Sequence, residues 1–419
     1  MLTDYVILGL CVVIILSYLF DITFKYSKIP GVVLLIALGI ALQVIVNYTG
    51  FEIPNMRPVL PVLGTLGLIL IVMDASLEIR FEKNKMKGLL QGVMASVVLT
   101  VLFVSILTFA IIKIWNLPLA ATLLNVIPLS IISSAVVISA SGLLTGNQRE
   151  FITLESAVSD IFGILLFDFI ILNHESFTAG LVDFASKTFI TVLIAAVLAI
   201  SLAWLLYRIN YHVNYIIILT AVVMSYAIAK LLHLPGLLLV IVFGLSLSNN
   251  HIAQNTFIRG FIDFDKFKRD IDSFKKILAE LTFIVRSFFF IMFGFYTNLV
   301  GLVHIQSIAL AAAITVFLFF IRWLFFRFAI GKDLGKLVWF APRGLITILL
   351  FMSVPDVFRI NIINEEVVTL VILMSILVMM MGNIFPNRKK SSDIQDKTDT
   401  QPNVQEEEIP VNVSTGYQD

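Results

Sequence analysis

Residues 30–42 read PGVVLLIALGIAL and residues 235–247 read PGLLLVIVFGLSL. At a fixed offset of 205 positions, six of the thirteen residues are identical: Pro, Gly, Leu, Ile, Gly and Leu. Windows of about 17 to 25 apolar residues are long enough to cross a hydrocarbon core of about 30 Å. Marking them predicts spans near 4–24, 30–47, 59–79, 88–112, 118–142, 152–172, 188–207, 213–230, 234–249, 281–299, 305–326, 336–354 and 365–386. The first copy then belongs to the second helix of a unit that starts on one side of the bilayer. The second copy belongs to the second helix of a unit that starts on the other. We therefore expect an all-α polytopic membrane protein of about 13 transmembrane helices in two inverted six-helix repeats, about 4–172 and 213–386, with a linker helix at about 188–207. Residues 387–419 are polar, contain Glu406 to Glu408 and two prolines, and read as a disordered cytoplasmic tail.

Composition agrees with a bilayer as solvent. Of the 419 residues 59% are hydrophobic and only 14% charged, with a mean hydropathy of +0.99. Soluble domains carry about 25% charge, so a cytosolic enzyme, a secreted disulfide scaffold and a nucleic-acid binder are all excluded. The lone Cys11 permits neither an intrachain disulfide nor a multi-cysteine metal cluster. The first span lacks a basic leader and a small-residue cleavage site, and is read as a retained helix.

Lys and Arg set the orientation. Alternate connections, starting after the first span, hold 20 of them, including Lys25, Lys28, Arg80, Arg149, Arg208, Lys275 and Arg388. The opposite set holds five: Arg57, Lys113, Lys187, Lys230 and Arg359. This bias predicts an N-terminus outside and a C-terminus in the cytoplasm of a plasma membrane, the inner one if the source has two. Residues 257–278, with Phe or an aliphatic side chain every three or four positions beside Lys266, Lys268, Arg269, Lys275 and Lys276, read as an amphipathic helix on the cytoplasmic interface.

Three arginines, Arg286, Arg322 and Arg343, fall inside spans, where a charge is expensive and defaults to pairing or function. Arg286 can instead snorkel to the interface. Two spans are interrupted at comparable places in the two units, at Pro128-Leu-Ser-Ile-Ile-Ser-Ser134 and at Ala341-Pro-Arg-Gly344. Such residues either kink a helix or, as a matched pair of broken helices, expose backbone groups that hold an ion.

The sixth span begins Phe151-Ile-Thr-Leu-Glu155-Ser-Ala-Val-Ser159-Asp160. Asp160 lies about 12 Å into the span by the helical rise, near mid-membrane. Desolvation opposes an uncompensated charge there, whereas water or a cation supports one, which is what a carrier exchanging H⁺ for a metal cation requires. Glu155 is about 140° around the helix from Asp160, so the two acids have separate tasks: Asp160 toward the ion and Glu155 toward an arginine. Asp74 is a third deep carboxylate, fitted either to the ion conduit or to an accessory position at an interface. No nucleotide-binding motif and no metal-ligand spacing among the five histidines is present, so no cofactor is expected and an ion gradient is the energy source.

Glu155-Ser-Ala-Val-Ser-Asp160 resembles the Glu-Ser-x-x-Asn-Asp motif of the monovalent cation:proton antiporter superfamily, which includes the sodium/proton exchangers. Further markers follow in order: Leu66-Gly-Leu-Ile-Leu with Ser76-Leu-Glu78, the Ser-rich break at 130–134, Phe288-Phe-Phe-Ile-Met-Phe-Gly294, Ile321-Arg322 and Pro342-Arg-Gly-Leu345. The resemblance covers residues 4–386. It implies antiport of Na⁺ or Li⁺, or of K⁺, against H⁺, by a homodimer in which a core domain moves like an elevator against a dimerisation domain. It implies that Asp160 is the ion and proton ligand, that Glu155 pairs with Arg322, and that Arg343 compensates the broken helix ends. Ser133, Ser134 and Ser159 would support the cation, and Asp74 and Arg286 remain candidates for the conduit. Two departures stand out. Ser159 occupies a position usually held by Asn or Asp, which favours electroneutral exchange. Ile132-Ser-Ser134 replaces a common Thr-Asp-Pro and is closer to the potassium-efflux branch. A cation channel, a membrane sensor without transport, or uptake of an organic anion on the arginines are the competing readings.

Overall fold

A computed structural model describes residues 2–384, apart from 28, 50–55, 57, 79–85, 141–143, 145, 174–176, 209–213, 250–263 and 331–336. Among the described residues there is no strand. The helices are α1 (Leu2–Ser27), α2 (Gly31–Thr49), α3 (Val59–Glu78), α4 (Met86–Trp115), α5 (Leu119–Ser130), α6 (Ser134–Ala140), α7 (Gly146–Leu172), α8 (Phe177–Arg208), α9 (Asn214–Leu231), α10 (Gly236–Ser248), α11 (Phe264–Tyr296), α12 (Leu299–Val303), α13 (Ile305–Phe325), α14 (Leu345–Met352) and α15 (Glu365–Ile384). Every predicted apolar span contains helix, two of them with an interruption. Among the described residues seven helices are long and apolar enough to cross a membrane unaided; among the rest are the shorter apolar helices α5 and α10, largely buried in the bundle, and α9, which packs on α10 and leaves one face exposed.

The repeated glycines explain the packing. In a bilayer, helices approach closely where a small residue removes the side-chain spacer. A Cβ at Gly39 would run into the Ile291 carbonyl of α11, and one at Gly294 into the Ile36 carbonyl of α2, so α2 and α11 touch backbone to backbone. Gly244, the second repeat's counterpart of Gly39, sits in the same way against Ser76 and the Met73 carbonyl of α3. The second helix of each unit thus packs on the third helix of the other. Likewise α4 packs on α7 in the first unit, and α13 on α15 in the second. The sequence repeat is therefore a repeated packing device.

Both predicted interruptions are present. The fifth span divides into α5, an extended stretch at 131–133, and α6. Pro128, in the last turn of α5, has no amide to continue the ladder, and the Ser130 hydroxyl bonds back to the Ile127 carbonyl at 2.6 Å. The twelfth span begins with one 3₁₀ turn at 337–339, runs extended through 340–344, and only then forms α14. Pro342 disfavours helix for Ala341 before it.

Two elements differ from the expected boundaries. The amphipathic segment does not lie apart from its neighbouring span: α11 is one helix of 33 residues, and Ile271, Phe274 and Leu278 are buried inside the protein. Hydrogen bonding continues through the stretch because no Gly or Pro separates the amphipathic pattern from the apolar one. Residues 257–263 of that segment lie outside the described residues, as do the tail and most of the basic connections used for orientation. The linker helix α8 extends over Phe177–Arg208, well beyond 188–207, since the polar stretch before it contains helix-compatible residues.

Candidate ion-binding site

The two interruptions meet. The Ser133 amide donates to the Pro342 carbonyl at 2.8 Å, linking one extended stretch to the other. A Cβ at Gly344 would collide with the Ser133 side chain, so only glycine allows this approach. Each stretch is also tied to the last helix of its own unit through a serine hydroxyl. Ile132 donates its amide to Ser159 Oγ on α7 at 3.1 Å, and Arg343 donates its amide to Ser375 Oγ on α15 at 2.9 Å. Unpaired backbone amides inside a membrane protein are costly, and these bonds satisfy three of the amides that the broken ladders release.

Asp160, on α7, is 2% exposed and stands beside this crossing. The hydroxyl and amide of Ser134, at the start of α6, are the donors that face its carboxylate. Neither Asp160 oxygen completes a hydrogen bond. A buried carboxyl in that condition is expensive, and both a proton and a small cation would relieve the cost.

Glu155, five residues earlier on α7, is fully buried and paired. Arg322 on α13 reaches it with both terminal nitrogens, at 2.5 Å to Oε1 and 2.8 Å to Oε2. The same guanidinium donates through Nε to the carbonyls of Leu337 and Val338 at 3.2 and 3.1 Å, and lies 4.6 Å from the centre of the Phe326 ring. These are carbonyls of the short turn that precedes the second interruption. Arg322 therefore joins α7, α13 and the broken span through one planar group, a use to which lysine is poorly suited.

Arg343 is 3% exposed, and its Nε and Nη1 have no hydrogen-bond partner. The charges that act on it are those of Arg322 and Glu155. The sequence-predicted residues Asp160, Ser133, Ser134, Ser159, Glu155, Arg322 and Arg343 thus gather around one crossing.

Asp74 and Arg286 gather elsewhere. Arg286 on α11 points Nη2 at Asp21 of α1, 3.3 Å away, and its guanidinium stacks toward Phe283. Arg286 and Lys275 are the cations acting on Asp74 of α3, and Lys275 also donates to the Leu77 carbonyl at 2.6 Å. This group links α1, α3 and α11. Ser375 was not foreseen from sequence. Its signal was the single serine in the sixth helix of the second unit, matching Ser159 in the sixth helix of the first.

A model of the sodium/hydrogen exchanger family, transmembrane part, matches residues 11–386. The chain is similar in structure to the sodium proton antiporter MjNhaP1 from Methanocaldococcus jannaschii, with a TM-score of 0.69 and 17% identity, over 92% of this chain and 99% of that one. An electron-microscopy structure of the same antiporter gives a TM-score of 0.63 and 17% identity, over 91% and 94%. At such identity the likeness establishes the fold. No curated protein sequence matches the chain.

Proposed function

The chain belongs to the sodium/hydrogen exchanger family, a family of multi-pass transporters and not of enzymes, and from that premise we propose that it exchanges Na⁺ or Li⁺, or K⁺, one for one against H⁺ at Asp160. The observation that carries this reading is a buried carboxylate with no hydrogen-bond partner beside two interrupted helices that bind each other. Asp160 takes either a proton or a dehydrated cation. Ser134 is the first hydroxyl in reach of such a cation, and Ser133 lies at the same crossing. Ser159 spends one lone pair on the Ile132 amide and keeps another for an ion, so its support is partly structural.

Charge accounting at the crossing supports electroneutral exchange. Glu155 is committed to Arg322, which leaves Asp160 as the carboxylate whose charge changes during the cycle. Arg343, on which the charges of Arg322 and Glu155 act, offsets the carbonyl dipoles of the broken helix ends. Only a neutralised site can pass an apolar barrier, so H⁺ and the metal cation alternate. The motion in this reading is an elevator-like displacement of the crossing with α7 relative to the α2–α11 and α3–α10 contacts. The protein acts as a homodimer in a plasma membrane, with the α7 C-terminal end outside.

The test is proton movement in proteoliposomes on addition of Na⁺, Li⁺ or K⁺ in turn, with and without a clamped membrane potential. Counterflow unaffected by the clamp is expected. Current without coupled proton movement would assign a channel instead, and the absence of any flux would leave a sensor.

A further inference from the structure

Eight residues beyond Asp160 on α7, about 12 Å along the axis, lies a second carboxylate, Asp168. It lines a cavity of about 250 Å³ together with Leu68 of α3, Tyr226 and Lys230 of α9, His233 in the turn after α9, and Ser353 at the end of α14. Lys230 is the cation that acts on Asp168, yet no ion pair joins them within salt-bridge reach among the described residues. The Lys230 ammonium instead lies 5.8 Å from the centre of the Tyr226 ring. Lys230 and His233 are exposed, whereas Tyr226 is 7% exposed, so the cavity has a wet rim and an apolar wall. Along α7, the side chains of Ile164 and Phe167, buried at 0% and 2%, lie between the two acids. The Glu155–Arg322 pair is on the other side of Asp160 along α7. Since Ser353 ends the helix that follows the second interruption, the cavity touches both halves of the transport machinery.

We propose that Asp168 and the cavity around it form an outer staging site for the transported monovalent cation, with Lys230 as a tethered cation that competes for the same carboxylate. The inference rests on the antiport reading given above. The chemistry follows from the geometry. A cavity of that volume accommodates a partly hydrated alkali cation, a water occupying about 30 Å³ of liquid. A carboxylate in a low-dielectric pocket concentrates cations there, and a lysine on a flexible stem at the rim lowers that affinity enough for release toward Asp160. The Tyr226 ring gives the displaced ammonium a place to rest. Transfer past Ile164 and Phe167 requires movement of the protein, so the staging site and Asp160 are filled in sequence.

Two measurements decide it. In proteoliposomes of uniform orientation, Asp168→Asn is expected to raise the half-saturating Na⁺ concentration on the cavity side by about fivefold or more, while the value on the opposite side stays within about twofold. Lys230→Gln is expected to shift the cavity-side value in the opposite direction. A merely structural Asp168–Lys230 contact would lower activity from both sides in both variants, which would overturn the proposal. Independently of transport, NaCl is titrated against purified Asp160→Asn protein, with choline chloride as control. Residual Na⁺-dependent thermal stabilisation is expected, and adding Asp168→Asn should remove it. Equal Na⁺ responses with and without Asp168 would overturn the staging site even if exchange is intact. Such a difference, found where the unsubstituted protein shows no exchange, would support the site and contradict the antiport reading alone.

Discussion

The Ser133 amide and the Pro342 carbonyl lie 2.8 Å apart, so each interrupted helix supplies a backbone group that the other has left unpaired. This bond makes the two breaks a single element. Neither could close into continuous helix without stranding the other, which explains why two unfavourable sequences persist in an apolar bundle. Ser159 and Ser375 complete the arrangement by accepting from Ile132 and Arg343.

Gly344 is the steric condition for that meeting. Its φ of −165° is ordinary extended backbone, so a side chain there is opposed by collision with Ser133 and not by conformation. Gly344→Ala should cost about 1–3 kcal/mol through overpacking and should slow exchange. Gly9→Ala, with nothing within 4 Å of the added methyl, should be silent. Thermal unfolding in detergent and exchange rates check both.

Removing one member of the Glu155–Arg322 pair leaves the other charged and buried. Glu155→Gln or Arg322→Met alone should destabilise by about 3–5 kcal/mol. The double variant should cost less than the two losses added, because no isolated charge remains. The Leu337 and Val338 carbonyls lose a donor in either Arg322 variant, so its residual cost should exceed that of Glu155→Gln once the charges are balanced. Melting temperatures of all three proteins decide this.

Ser375→Ala deprives the Arg343 amide of its acceptor. A loss of about 1–3 kcal/mol is expected, the penalty of an unsatisfied buried donor. Since Arg343 precedes α14 by two residues, exchange should slow as well. Ser375→Thr, which retains a hydroxyl, should recover more of both than Ser375→Val. Half-saturation and turnover in proteoliposomes, measured beside thermal stability, test this order.

Much of this architecture was legible in residues 30–42 and 235–247, because a repeated Pro and Gly pattern in an apolar segment fixes where helices begin and where they touch. The interruptions were legible from Pro128 and Pro342, whose effect on the ladder is local. Glu155, Asp160, Arg322 and Arg343 stood out because charge in a membrane span is rare. What the chain concealed depends on distance in three dimensions. Nothing in the sequence of α7 says that the Ser159 hydroxyl serves Ile132, or that Arg286 turns to Asp21 on the first helix. Asp168 was passed over because it sits close to a span end, where a carboxylate is unremarkable, and only the cavity shared with Lys230 distinguishes it. The continuity of α11 is hidden in the sequence because composition changes from amphipathic to apolar along it while the helix does not end.

The central claim is that Asp160 carries either the proton or the cation. Its most direct test is Na⁺-driven proton movement in proteoliposomes containing Asp160→Asn, measured beside the unsubstituted protein at matched amounts. The account predicts that exchange falls to the level of empty liposomes while the variant still folds, purifies as a single species and melts cooperatively. Cation-driven proton flux that persists in a folded Asp160→Asn protein would contradict it.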